Sequence, residues 1–240
     1  MRNILNLTAA WGMAIWLLSP TSAQAQRVLL HSEVAEDTIY DNFGPNRKFF
    51  NHIYLGYLPV VGQSGRGAEI RYGSSGEFML GLRNKFRLSE PLSVGLDLRF
   101  LRLSYLLAQT DHKLLPTPAV HYRESLALSQ WQVEGFLRLN AGARGNVVGR
   151  YLDLSGWGGW VMSTAHRVED RPSTGPRRVQ TNERGLPYVR RWPYGVGARL
   201  GSGRYAAVAR YRLSDTFTSA YQSAYPELPR WTVGLEIGWL

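Results

Sequence analysis

The sequence contains no cysteine. Disulfides, a thiolate nucleophile, Cys-ligated zinc, iron–sulfur clusters and the lipid-bearing cysteine of a lipoprotein are therefore all excluded. Acidic residues are few: 18 Asp and Glu stand against 28 Lys and Arg, a net charge of +10. A surplus of this size raises nucleic acid and anionic lipid as partners. It is mostly arginine spread along the chain, with no nucleic-acid-binding module beside it, so nucleic acid is set aside. Helical periodicity is scarce. No histidine pair has metal-ligand spacing and no acidic calcium loop is present. The glycines of GSGR (201–204) lie in a turn between strands rather than at a strand-to-helix phosphate loop. No cofactor or metal is expected.

Long apolar runs are also missing. The most apolar segment, AAWGMAIWLL (Ala9–Leu18), has ten residues, too few to cross a bilayer as a helix. Arg2 precedes it, and SPTSAQA follows with the small-x-small site Ala23-Gln24-Ala25. That order is the pattern of an export signal. The chain divides into a signal peptide over 1–25, an N-terminal segment over 26–48 and a β domain over 49–240.

What the sequence has in abundance is period-2 alternation. In EFMLGLRNKFRL (77–88), Phe78, Leu80, Leu82, Phe86 and Leu88 alternate with Gly81, Arg83, Lys85 and Arg87. In LSVGLDLRF (92–100), Leu92, Val94, Leu96, Leu98 and Phe100 alternate with Ser93, Gly95, Asp97 and Arg99. The phase then slips at Phe100-Leu101, which predicts a β-bulge, and a second slip falls near Ser129-Gln130. Further strands are expected over 49–60, 124–140, 147–162, 193–201, 204–214 and 230–240. The turns SEP (89–91), AGARGN (141–146) and GSG (201–203) are tight. The connections near 62–76, 109–123, 166–192 and 215–229 are long. An even number of strands with alternating short and long connections is the layout of an all-β, eight-stranded antiparallel up-and-down transmembrane barrel.

Alternation alone leaves open which face is apolar, because a soluble ligand-carrying barrel also alternates, with its apolar side chains inside. Three features favour the membrane arrangement. The chain carries an export signal. The polar phase holds charges of both signs and many glycines: Arg83, Lys85, Arg87, Asp97, Arg99, Glu134, Arg138, Arg199, Arg210, Arg212 and Glu236 are expected in the lumen. Trp231 and Trp239 lie on one face of the last strand, roughly 20 Å apart along the membrane normal for a tilt of about 40°. Eight strands leave an interior just wide enough for side chains, so these charges predict a packed salt-bridge network, with a polar channel or proton path as the alternative.

The Ala-ended signal followed by Gln26, the segment TIYDNFGPNRKFFNHIYLGY, the eight-strand layout and the terminal WTVGLEIGWL together resemble the small outer-membrane barrels of Bacteroidota. These are the PorT-like group with an outer membrane protein beta-barrel domain. The resemblance spans about residues 38–240. It implies a barrel in the outer membrane with no catalytic motif to carry over. It also implies a structural or assembly role with a link to type IX protein secretion, and therefore secretion or envelope proteins as partners beside outer-membrane lipid and lipopolysaccharide. The chain departs from many such proteins at its end, where the in-phase aromatic is Trp239 and Leu240 follows out of phase.

Two features remain for chemistry. The third long loop, HRVEDRPSTGPRRVQTNERGLPYVRR, carries Arg167, Arg171, Arg177, Arg178, Arg184, Arg190 and Arg191 against Glu169, Asp170 and Glu183. Guanidinium groups suit bidentate phosphate or carboxylate recognition, so this loop is a candidate anion- or partner-binding element. A rim enzyme acting on lipid needs a hydroxyl activated by an adjacent base. The candidates are His166 with Ser163, Thr164, Glu169 and Asp170, and His121 with Glu124 and Ser125. Neither matches a known hydrolase motif, and the expectation is a non-enzymatic protein.

Overall fold

The computed structural model describes residues 42–142 and 145–239. The signal peptide, most of the segment over 26–48, and Leu240 lie outside the described residues. Nine strands form one antiparallel sheet: β1 (Phe49–Val61), β2 (Gly76–Arg87), β3 (Leu92–Leu107), β4 (Arg123–Ala141), β5 (Arg150–Asp170), β6 (Val179–Arg184), β7 (Tyr194–Ser202), β8 (Tyr205–Arg212) and β9 (Trp231–Trp239). Each barrel strand pairs with its neighbour, β5 pairs with β7, and β9 pairs with β1. Eight strands thus close the barrel. β6 stands apart from the ring, pairing with the far end of β5.

The register fixes the shape. A walk along paired residues from Phe50 runs through Lys85, Gly95, Phe136, Ser155, Gly197, Arg210 and Thr232 and returns to β1 at Val60. The path comes back ten residues further along the strand. A shear of ten over eight strands tilts them by about 40° from the barrel axis. Closure also needs close backbone approach at the seam. A Cβ on Gly234 would sit 2.2 Å from the carbonyl oxygen of Tyr57.

The apolar phase faces out. Ile53 is 54% exposed, Leu98 48% and Leu235 64%, and Leu, Val, Ile and aromatic side chains continue this belt around all eight barrel strands. One edge of the belt is aromatic on every strand: Tyr57, Phe78, Phe100, Trp131, Trp160, Tyr194, Tyr211 and Trp231. Tyr57 pairs with Phe78, Phe100 with Trp131, Trp131 with Trp160, and Tyr211 with Trp231. The remaining neighbours are offset by two residues, and the seam between Trp231 and Tyr57 by four. The opposite edge carries Phe49, Phe86, Tyr205 and Trp239, with the Phe49 and Phe86 rings 5.2 Å apart.

Beyond the complete aromatic ring, towards the long loops, the pattern reverses. Leu101, Leu103 and Tyr105 of β3 and Leu126 and Leu128 of β4 point inward and are buried, while Arg102 and Ser104 point outward. The bulge expected at Phe100-Leu101 is absent: β3 keeps an unbroken register with both β2 and β4. The side chains change character while the strand runs on, so the sequence slip marks a change of surroundings. Near Ser129/Gln130 a register shift is present, but the extra residue is Met162 of β5, since Gln130 pairs with Val161 and Ser129 with Ser163.

Both ends are covered. At the long-loop end, Ala68, Ile70, Leu115, Leu186, Val189, Phe217 and Leu228 from the four long connections pack on Leu58, Leu101, Leu107 and Leu126. At the other end the segment 42–48 folds under the barrel. Arg87 donates to the Asn46 carbonyl at 2.9 Å, Lys85 donates to the Pro45 carbonyl, and the Phe43 ring lies 5.8 Å from Phe50. The tight turn between β7 and β8 is made by Gly203, whose φ of +59° favours glycine.

Candidate functional site at the long-loop end

The charged lumen lies between the two covers. Arg199 on β7 is its hub. It faces Glu134 (2.8 Å), Asp153 (2.7 Å), Glu236 (2.9 Å) and Asp97 (3.5 Å), which come from four other strands. Arg83 bridges Asp97 and Glu236, each at 2.9 Å, Arg138 chelates Asp153 at 2.7 and 2.8 Å, and Arg99 pairs with Glu134. Arg210 reaches across from β8 to Glu77 and Gln132. Five arginines therefore meet five carboxylates, and all ten are buried. Inward glycines make room for rings under these guanidiniums. A Cβ on Gly201 would strike Tyr151, on which Arg138 stacks at 3.6 Å, and one on Gly195 would strike Trp157, beneath Arg210 at 4.5 Å.

Of the charges expected in the lumen, Arg83, Asp97, Arg99, Glu134, Arg138, Arg199, Arg210 and Glu236 join this network. Lys85 and Arg87 instead tie down the segment under the barrel. Arg212 anchors the last long loop through Glu227 at 2.8 Å. Sequence reasoning missed Asp153 and Glu77, the partners of Arg138 and Arg210. Both stand in the inward phase of their strands, which was the available signal. Two voids among the described residues, beside Tyr54 and Glu236 and beside Glu77 and Trp157, measure about 10 and about 20 Å³, room for about one water each.

At the long-loop end β4 and β5 rise beyond the aromatic ring, and their inward faces form a second polar cluster. The buried Glu124 carboxylate receives His166 Nε2 at 2.7 Å, Gln109 Nε2 at 3.1 Å and the Lys113 ammonium. The other imidazole nitrogen of His166 meets Glu183 of β6 at 3.1 Å. Burial by itself would lower the His166 pKa, but the hydrogen bonds that His166 donates to Glu124 and Glu183 outweigh this and hold the imidazole above its usual range. Burial would likewise raise Glu124, and its bonds to His166, Lys113 and Gln109 overcome that and hold it low. The cluster fastens the second long loop and β6 to the barrel wall.

The nucleophile–base pairs suggested by the sequence do not assemble. Ser163 lies on the outward face, opposite His166, whose two ring nitrogens are both held by carboxylates. The Thr164 hydroxyl accepts from the Leu186 amide at 2.7 Å. His121 is bound by Asp170 at 2.9 Å through Nδ1, and Ser125 stands on the outer wall of β4, away from Glu124.

The arginines of the third loop are dispersed rather than clustered. Residues 166–170 continue β5 and residues 179–184 form β6, so about two fifths of the expected loop is a β-ribbon. Arg178 binds Glu169 at 2.7 Å, and Arg171 reaches the same carboxylate at 3.5 Å while stacking on Tyr122 at 3.8 Å. Arg177, Arg184 and Arg191 are exposed, and the Arg190 amide donates to the Thr216 carbonyl at 2.8 Å. Arg167 lines a groove of about 430 Å³ on the outer wall with Arg123, Arg178, Ser104, Ser125 and Asn182. Arg123, which sequence reading placed in a loop and passed over, faces this groove from the first residue of β4. No protein-family model matches the chain, and no curated protein matches it.

Proposed function

We propose that this chain is a sealed barrel of the outer membrane and a non-enzymatic structural or assembly component, which works through its outer wall and long-loop end. The observation that carries this reading is the exposed apolar belt with an aromatic side chain on each of eight strands. Water-facing proteins do not expose a ring of this kind, whereas lipid-facing barrels are bounded by aromatic girdles. The short turns and the covering segment over 42–48 then lie in the periplasm and the long loops lie outside. The lumen supports a scaffold rather than a channel, because balanced ion pairs fill it and both mouths are covered. Among the described residues the lumen is lined by buried charges, unlike the apolar interior a ligand-carrying barrel needs.

The resemblance to PorT-like barrels directs the search for a partner to protein secretion. The test is to fractionate cells, extract the tagged protein from the outer membrane in mild detergent and identify what co-purifies by mass spectrometry. The expected result is recovery only with detergent, together with an envelope or secretion protein in stoichiometric amount. A clean monomer carrying lipopolysaccharide alone would overturn the assembly role. Recovery in the soluble fraction would overturn the membrane placement.

A further inference from the structure

On the outer wall just beyond the aromatic ring, one sector carries a site that belongs to neither the lumen nor the rim cluster. On β3, Arg102 stands two residues above Phe100, with Ser104 above it. On β4, Ser125 and Arg123 lie six and eight residues above Trp131. On β5, Arg167 is paired with Ser125, and β6 adds Gln180 and Asn182 opposite Glu169 and Arg167. β6 and Arg178 close the far side, making the groove of about 430 Å³.

The groove carries a surplus of positive charge, with Arg123, Arg167 and Arg178 against one acid. Among the described residues, Arg123 and Arg167, which line it, and Arg102, which stands on β3 between it and the aromatic ring, are exposed and form no ion pair with a carboxylate. The groove has a single acid, Glu169, and Arg178 and Arg171 already hold it. Ser104, Ser125, Gln180 and Asn182 add neutral donors between the cations. At about 3.3 Å per residue and a tilt of about 40°, these groups stand from about 5 to about 20 Å beyond the girdle. That is the layer in which the sugars and phosphates of an outer-leaflet glycolipid lie when its acyl chains rest against the belt.

We propose that this groove, together with Arg102 below it on the wall, binds the phosphorylated saccharide headgroup of a surface glycolipid, with Arg123 and Arg167 gripping phosphate and Arg102 receiving the charge nearest the acyl chains. The site rests on the membrane placement argued above. Guanidiniums bind phosphate oxygens in pairs of parallel hydrogen bonds, and unpaired ones on a wall facing anionic lipid offer that geometry without first breaking an internal salt bridge. One bound lipid on one sector would also give the barrel a fixed rotational orientation towards its neighbours.

The test uses the full mature protein in detergent and native mass spectrometry with two probes, rough lipopolysaccharide and the same material dephosphorylated. The expected result is one retained lipopolysaccharide molecule, with at least tenfold weaker retention of the dephosphorylated form. Arg123→Gln with Arg167→Gln should weaken retention by at least tenfold, while Arg177→Gln with Arg191→Gln should leave it unchanged. Heat-modifiable migration on gels reports folding of each variant. If the double variant misfolds, Arg102→Gln alone, with an expected several-fold loss, takes its place. Equal retention by wild type and folded variants, or no preference for phosphate, overturns the site while the protein still requires detergent. Full displacement by millimolar inorganic phosphate overturns the headgroup assignment in favour of free phosphate. A protein that stays soluble without detergent instead overturns the membrane placement.

Discussion

At the centre of the barrel one guanidinium, that of Arg199, faces four carboxylates from four strands. Each of those carboxylates has lost most of its hydration, a cost of several kcal/mol per ion that only close pairing offsets. Arg199→Met leaves Asp97, Glu134, Asp153 and Glu236 short of positive charge and should destabilise the barrel by about 3–5 kcal/mol; a lowered urea midpoint in detergent micelles would register it. The Arg210–Glu77 pair is more self-contained, because Glu77 has no other basic partner among the described residues. Arg210→Met combined with Glu77→Leu should therefore be less damaging than Arg210→Met alone, as the same titration can read. His166 gives a residue-scale dependence on pH. Its pKa lies above the ordinary 6.5, so its contribution is complete below 6.5 and fades as pH rises through the raised value. Glu124 lies below the ordinary 4.5, so its contribution is complete above 4.5 and fades as pH falls through the lowered value. Hydrogen-exchange protection over 109–122 and 179–184, corrected for the intrinsic pH dependence of the amide rate, should be greatest between those limits and fall on the alkaline side, and His166→Gln should remove that alkaline fall.

At the scale of the strand, β3 and β4 carry two opposite burial patterns along one unbroken ladder. Below the aromatic ring Leu96, Leu98 and Val133 face out and Asp97, Arg99 and Glu134 face in. Above it Leu101, Leu103, Leu126 and Leu128 face in and Arg102, Ser104 and Ser129 face out. Alternation was legible in the sequence because its cause is local, the period of the strand. The inversion was legible as an event but mistaken for a bulge. A one-residue slip and a change of solvent leave the same trace in a hydrophobic pattern, and only the pairing separates them. β6 was missed because VQTNER is exposed at every position and so has no alternation to detect. The consequence is an asymmetry between positions four residues apart on the same face. Leu98→Arg should cost about 2–4 kcal/mol in lipid vesicles, while Arg102→Leu should change stability by no more than about 0.5 kcal/mol. Unfolding titrations of the two variants side by side would decide it.

At the scale of the whole molecule the chain makes three layers: an apolar core under the long loops, a charged lumen, and a cover beneath the short turns. The expected lumen charges were readable from inward phase, but which of them meet was not. A shear of ten brings Arg199 within reach of residues on β3, β4, β5 and β9, and shear emerges only when all eight registers are known. The third-loop arginines show the same limit. Sequence proximity grouped seven of them, whereas strand pairing sends Arg167 to a groove with Arg123, a residue some forty positions away. With both mouths covered and buried ion pairs occupying the lumen between them, the purified barrel should give no discrete conductance steps in a planar bilayer; regular ohmic steps would contradict a sealed lumen. The central claim is that the outward face changes solvent at the aromatic ring. The absence of native cysteine allows it to be tested directly with single cysteines at Leu98 and Ser104. Intact cells expressing each variant are treated with a membrane-impermeant maleimide, and labelling is compared with that in denatured protein. The account predicts labelling at Ser104→Cys and protection at Leu98→Cys. Equal labelling at both positions would contradict it.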